Sequence, residues 1–80
     1  MQTHELKILP KYFEDVLYGR KRFELRKDDR GFEVGDWIRL REWEDGKYTG
    51  RVYYVLITYI LRDVPEYGLK EGYCILGIER

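Results

Sequence analysis

The densest run of charge in this 80-residue chain lies between Arg20 and Arg30, where Arg20, Lys21, Arg22, Arg26, Lys27 and Arg30 stand against Glu24, Asp28 and Asp29. Within it, Gly19-Arg20-Lys21-Arg22-Phe23-Glu24-Leu25-Arg26 reads G-x-K-x-x-E-x-R. These residue types suit a ligand with a phosphate and a base. Arg26 offers a planar fork of donors, Lys21 a compact positive charge, and Glu24 an acceptor for an exocyclic amine. A second group, Trp37, Arg39, Arg41 and Trp43, shares one parity of a later segment and sets cations beside aromatic faces. With Tyr59 it supplies candidate stacking surfaces for single-stranded RNA. The bland alternative is a solvated charged face in which Glu24 pairs with Arg22, Arg26 or Lys21 and contributes little.

Other groups carry less chemistry. His4 shares parity with Leu6 and Ile8, which reads as a satisfied, partly buried histidine. Cys74 shares parity with Leu76 and Ile78, which reads as a buried, inert thiol. Asp28 and Asp29 read as residues ordering a turn, and no metal or other cofactor is expected. Tyr53, Tyr54 and Tyr59 read mostly as core and barrel wall.

The elements that must position these groups follow from the hydrophobic period. His4 to Leu9 alternates as a half-buried strand. Pro10 opens a short amphipathic helix to Tyr18, with Phe13, Val16 and Leu17 at helical spacing and Gly19 as its C-terminal cap. Arg22 to Lys27 alternates again, with Phe23 and Leu25 opposite a charged face of Arg22, Glu24 and Arg26. Strict alternation puts Lys21 on the wrong side for the motif, so it must lie in the turn after Gly19 or be re-aimed by a bulge. Asp28 to Gly35 is turn-rich, and Asp36 to Trp43 is a third strand with its aromatic and basic groups outward. Asp45-Gly46 marks a tight turn. Arg51 to Leu61, apolar on both faces, is a central or strongly curved strand, and Tyr73 to Ile78 is the fifth. Five strands and one helix after the first strand predict a mixed, mainly β fold, a small barrel in a single domain over residues 1–80.

Composition sets the outer limits. Lys plus Arg and Asp plus Glu each total 15, so overall neutrality excludes a broad phosphate-tracking surface or an anionic-membrane binder, and any charge-based function is local. The sole cysteine and the absence of a signal-like or membrane-spanning apolar run predict a reduced, cytoplasmic protein that does not engage membranes. The chain reads as a monomer or weak homodimer.

The G-x-K-x-x-E-x-R motif, preceded by Leu6-Lys7-Ile8 and the helix and followed by Val34-Gly35-Asp36, resembles the signature of the ASCH domain family of the PUA-like superfamily. The chain is especially similar to a small single-domain branch of that family, with Tyr48-Thr49-Gly50-Arg51 as a further shared segment. The resemblance implies a PUA-like β-barrel with a cleft lined by Lys21, Glu24 and Arg26 that takes RNA or a nucleotide. Lys7, Arg39, Arg41 and Trp43 then extend the binding surface. A hydrolase acting on a modified nucleoside or on RNA is the alternative, with Lys21 and Glu24 as acid and base. However, in the amidohydrolase-like members a Thr stands where this chain has Glu24, so the balance leans away from an enzyme. On this reading, replacing Lys21 and Arg26 by Ala lowers RNA affinity and leaves the fold intact.

Overall fold

The computed structural model describes all of residues 1–80. Its elements in chain order are β1 (Thr3–Ile8), α1 (Pro10–Leu17), β2 (Phe23–Lys27), β3 (Trp37–Glu44), β4 (Lys47–Leu61), a short 3-10 turn (Pro65–Tyr67) and β5 (Tyr73–Glu79). The five strands form one sheet in the order β1-β3-β4-β5-β2, a curled half-barrel with one helix after the first strand. β1 runs parallel to β3, and the other pairs are antiparallel.

Three elements follow the hydrophobic period directly. His4, Leu6 and Ile8 are the buried parity of β1, and Cys74, Leu76 and Ile78 that of β5. Pro10 begins α1, whose fixed φ suits a first turn, and Phe13 and Val16 are its buried pair. Burying these two side chains contributes roughly 2 kcal/mol each, a large share for so thin a core. The helix ends with the Arg20 and Lys21 amides both donating to the Asp15 carbonyl, at 2.9 Å. Gly19 makes that turn with a φ of +77°, and a Cβ there would come within 2.9 Å of the Arg80 guanidinium. The first residue of the motif is therefore glycine for backbone reasons.

β4 is both central and strongly curved. Its first half pairs with β3 and its second half with β5. It begins at Lys47, four residues earlier than the apolar run suggests, because Asp45 and Gly46 at positive φ close a two-residue hairpin from Glu44 to Lys47. Gly50 is therefore inside the strand, where the register jumps between Trp43↔Tyr48 and Arg41↔Val52. This bulge turns the Thr49 hydroxyl onto the buried Glu42 carboxylate at 2.6 Å. A second irregularity at Thr58 leaves Tyr59 65% exposed, and Tyr54 is also exposed; only Tyr53 packs against the core as barrel wall.

The turn-rich segment after β2 contributes two buried groups. Phe32 joins the core, with its ring 4.8 Å from that of His4. Asp36 is buried and accepts from His4 Nε2 at 2.9 Å, from the Gln2 amide at 3.0 Å and from the Glu33 amide at 3.1 Å. His4 is the satisfied, buried histidine that its parity implies. Asp28 accepts twice from Arg62, at 2.6 and 3.2 Å, and Arg62 also donates to the Phe32 carbonyl, which pins this turn to the end of β4. The same contact raises the Arg62 pKa. No buried side-chain nitrogen or oxygen lacks a partner.

The His4 hydrogen bond first, then the Gln2 amide, hold the Asp36 carboxyl below its ordinary pKa against the opposing effect of burial. A group depressed in the folded state contributes stability above its ordinary pKa and loses it as pH falls through the folded value. Asp36→Ala should therefore cost about 2 kcal/mol or more near neutrality, measured by chemical denaturation. Its stability should also fall less steeply than that of the unsubstituted protein as pH drops below the ordinary carboxylate range. Burial pushes the Cys74 thiol up. It should ignore a thiol reagent in the folded protein and react once denaturant is added.

Candidate functional site

β2 carries the motif and lies at one edge of the sheet, bonded only to β5, with Glu24 opposite Leu76 and Arg26 opposite Cys74. Its burial is inverted relative to hydrophobicity. Glu24 is 2% exposed, whereas Phe23 is 49% and Leu25 57% exposed. The bland reading holds in its pairing, since Glu24 meets Lys21 and Arg26, but not in its solvation: Glu24 is buried and Arg26 half-buried, while Arg22 of the same parity is exposed. Lys21 precedes the strand, in the turn after Gly19, and reaches Glu24 from there without any bulge in β2.

Glu24 is gripped from both sides. Lys21 Nζ donates to Glu24 Oε2 and, at 2.7 Å, to the Phe23 carbonyl. Arg26 donates to Glu24 Oε1 through Nε at 3.0 Å and Nη2 at 2.7 Å. The side chains of all three are largely removed from water, at 15%, 3% and 24% exposure for Lys21, Glu24 and Arg26. One carboxylate against two cations leaves an excess positive charge in a partly desolvated place. Both carboxylate oxygens are taken, which suits a structural clamp better than a base left open to activate water.

Arg26 has a further duty. Its Nη2 also donates to the Lys7 carbonyl at 2.7 Å, and Arg30 Nη1 donates to the Glu5 carbonyl at 3.0 Å. These alternate carbonyls of β1 face the gap between the two sheet edges. Side chains of the β2 segment thus bridge the seam that backbone pairing leaves open.

Lys21, Glu24 and Arg26 converge on one concavity of about 500 Å³, whose wall is completed by Lys7, Ile8, Leu9, Tyr12, Phe23 and Leu25. It is within the size range of a ligand pocket. Its rim is apolar and its floor ionic. Lys21 Nζ is 5.0 Å from the Phe23 ring centroid and 5.8 Å from that of Tyr12, so two aromatic faces flank the cation. A smaller hollow of about 380 Å³ lies behind Lys21, beside Gly19, Arg22 and Arg80. Lys21 borders both hollows, and its ammonium is bonded to Glu24.

The remaining expected site residues divide. Lys7 lines the concavity, its Nζ 3.9 Å above the Trp43 ring. Trp43 thus stands behind Lys7 and packs edge-on to Tyr48, with centroids 4.8 Å apart. Arg41 borders an adjoining basin. Arg39 reaches neither hollow; it joins Arg41 on Glu5 Oε1, at 2.9 and 3.1 Å. Trp37, at the start of β3 opposite Thr3 and Leu56, and Tyr59, on the outer face of β4, are not at the cleft. The aromatic groups that are, Tyr12 and Phe23, escape sequence reasoning because one is on the exposed side of a helix and the other has the parity assigned to the core.

With this geometry in hand, comparison with known proteins places the chain. Residues 3–78 match the family described as a domain of unknown function, DUF3850. The chain belongs to the DUF3850 family. It is also 52% identical over 50 residues to an uncharacterized 12.9 kDa protein in the GpA 3' region of Escherichia phage P2. That match covers 62% of this chain and 46% of the phage protein, so the chain spans about half the length of that relative. No helix of this DUF3850 domain is long and apolar enough to cross a membrane.

Truncating Glu24 should expose how tightly the clamp is built. Glu24→Ala strands two partly buried cations and should cost roughly 3–5 kcal/mol in urea denaturation. Glu5→Ala, which removes an exposed partner of Arg39 and Arg41, should cost about 1 kcal/mol or less.

Proposed function

We propose that this DUF3850 domain binds RNA or a nucleotide in the cytoplasm, as a monomer or weak homodimer, through the Lys21–Glu24–Arg26 concavity, with an ASCH-like cleft as its closest functional analogy. The observation that supports the reading is the convergence of the three motif side chains on one hollow of about 500 Å³ with an apolar rim. Two kinds of recognition are available there. Tyr12, Phe23 and Leu25 offer a surface for the face of a base. Lys21 and Arg26 keep donors beyond those spent on Glu24 and the backbone, suited to a phosphate or a carbonyl edge. Glu24 is then the counter-charge that fixes both cations in place.

The clamp also changes how the reading is tested. Removing Lys21 and Arg26 together strands the buried Glu24 carboxylate and cuts the Arg26 bridge to β1. The double alanine variant therefore cannot be counted on to stay folded, contrary to the expectation from sequence. Tyr12, 40% exposed on α1, is the better handle. Nucleoside monophosphates and short single-stranded RNAs titrated against the protein, followed by NMR, should bind weakly and more weakly as salt rises. Tyr12→Ala should lose on the order of fivefold to tenfold in affinity at an unchanged melting temperature. Arg26→Lys, which keeps the charge and loses the fork, should also weaken binding. No shift at Tyr12, Lys21, Phe23 or Arg26 with any of these ligands would sink the proposal.

A further inference from the structure

A second basin adjoins the motif cleft. It has a volume of about 340 Å³ and is bordered by Lys7, Arg26, Arg30 and Arg41, with Glu5 as its only carboxylate and Tyr48 as its aromatic wall. Lys7 and Arg26 line both hollows, so the two share a wall along the β1–β2 seam. Arg26 is paired with Glu24, Arg30 with Asp29 and Arg41 with Glu5, so the four cations outnumber their carboxylate partners by one, and the basin stays electropositive in a chain of zero net charge.

Its cations are held in place while donors remain unspent. Arg41 stacks on Tyr48, its guanidinium carbon 3.6 Å from the ring centroid, and spends Nη1 on Glu5. Lys7 stands on Trp43 and has no carboxylate partner. Arg30 spends Nη1 on the Glu5 carbonyl and Arg26 spends Nη2 on the Lys7 carbonyl, which fixes both guanidinium groups along the edge of β1. Side chains anchored by stacking and by carbonyls lose little freedom when an anion arrives. An ion with several acceptor oxygens matches the remaining guanidinium donors of Arg26, Arg30 and Arg41 and one ammonium, all lining a common space.

We infer that this basin is a phosphate subsite of the motif cleft, so that the ligand is a phosphorylated nucleotide or a step of an RNA strand, and not a free nucleoside. The inference rests on the proposed cleft: the base lies against the Tyr12–Phe23 rim while its phosphate lies over the seam among Lys7, Arg30 and Arg41. Arg26 and Lys7 stand between the two parts and contact both. Recognition of the phosphate is electrostatic and geometric; recognition of the base remains with the cleft.

Pyrophosphate alone and a matched nucleoside, nucleoside monophosphate and dinucleotide series, titrated separately, divide the two claims. Guanidinium Nε–H signals of Arg30 and Arg41 report the basin, and backbone signals of Tyr12 and Phe23 report the cleft. Pyrophosphate is expected to shift Arg30 and Arg41 and to leave Tyr12 unmoved. The monophosphate should bind on the order of tenfold more tightly than its nucleoside, as a charge-assisted contact implies. Arg30→Gln with Arg41→Gln should erase that difference and lower the salt slope with nucleoside affinity unchanged, while the melting temperature falls modestly as the Arg30 bridge to β1 is lost. If nucleoside and monophosphate bind equally at the cleft while Arg30 and Arg41 stay silent, the subsite is overturned and the cleft stands. If pyrophosphate moves the basin but no nucleoside or nucleotide moves the cleft, the basin is an anion site unconnected with a base, and both the base-binding reading and the subsite inference fall. Silence of Arg30 and Arg41 toward every phosphate-bearing ligand overturns the inference outright.

Discussion

A sheet of five strands in so short a chain curls far enough to bring its two edges near one another but does not close, and the open seam between β1 and β2 is the constraint that organises this fold. Unpaired edge groups invite wrong partners, and a backbone ladder across the seam would leave no room for a cleft. The chain bridges it with guanidinium groups. Arg26 and Arg30 each place a donor on an alternate carbonyl of β1. The bridging residues come from the segment that also holds the buried Glu24, so edge protection and the charged hollow arise from the same few side chains.

The carboxylate of Glu24 sets the character of that hollow. Alone, it would be costly to bury; with Lys21 on one oxygen and Arg26 on the other it becomes the anchor for two cations. Glu42 repeats the arrangement more mildly, with the Thr49 hydroxyl and the Arg51 guanidinium drawn to it by the bulge at Gly50. Asp36 does so with a histidine and two backbone amides. Three buried acids are each matched by donors, from neighbours in the chain for Glu24, across a hairpin for Glu42 and from the start of the chain for Asp36, and they add polar ties where apolar burial alone is thin.

Much of this is legible in the sequence, and the rest depends on surroundings that only the fold supplies. The alternation of His4, Leu6 and Ile8, the helix opened by Pro10, the hairpin at Asp45-Gly46 and the core parity of Cys74, Leu76 and Ile78 are local patterns, and each reads correctly from a short window. The need to find Lys21 outside the strand is likewise visible from alternation. β2 misleads because its environment is not the core. Its inward side meets the cleft and the seam, so the charged parity is the buried one and Phe23 and Leu25 become rim. The burial of Asp36, Glu42 and Phe32 depends on partners brought in by the fold, and no periodicity announces them. Tyr54 and Tyr59 read as wall because their run is apolar on both faces, which a bulge and an outer face overrule.

The strand order also has a consequence in time. β2, with the motif, follows α1 early in the chain, yet its only backbone partner in the sheet is β5, the fifth strand in chain order. Between Glu24 and Leu76 the chain must first turn the β3–β4 hairpin and bend β4 through its bulges before β5 offers β2 a ladder. Contacts of such long sequence separation form late and slowly. Until then the segment from Lys21 to Arg26 has neither its ladder to β5 nor the β1 side of the cleft against it, so a chain of this family can carry the whole motif and still lack the pocket. Any ligand selective for the assembled cleft distinguishes finished molecules from unfinished ones, and by binding only the former it draws the folding equilibrium toward the closed seam.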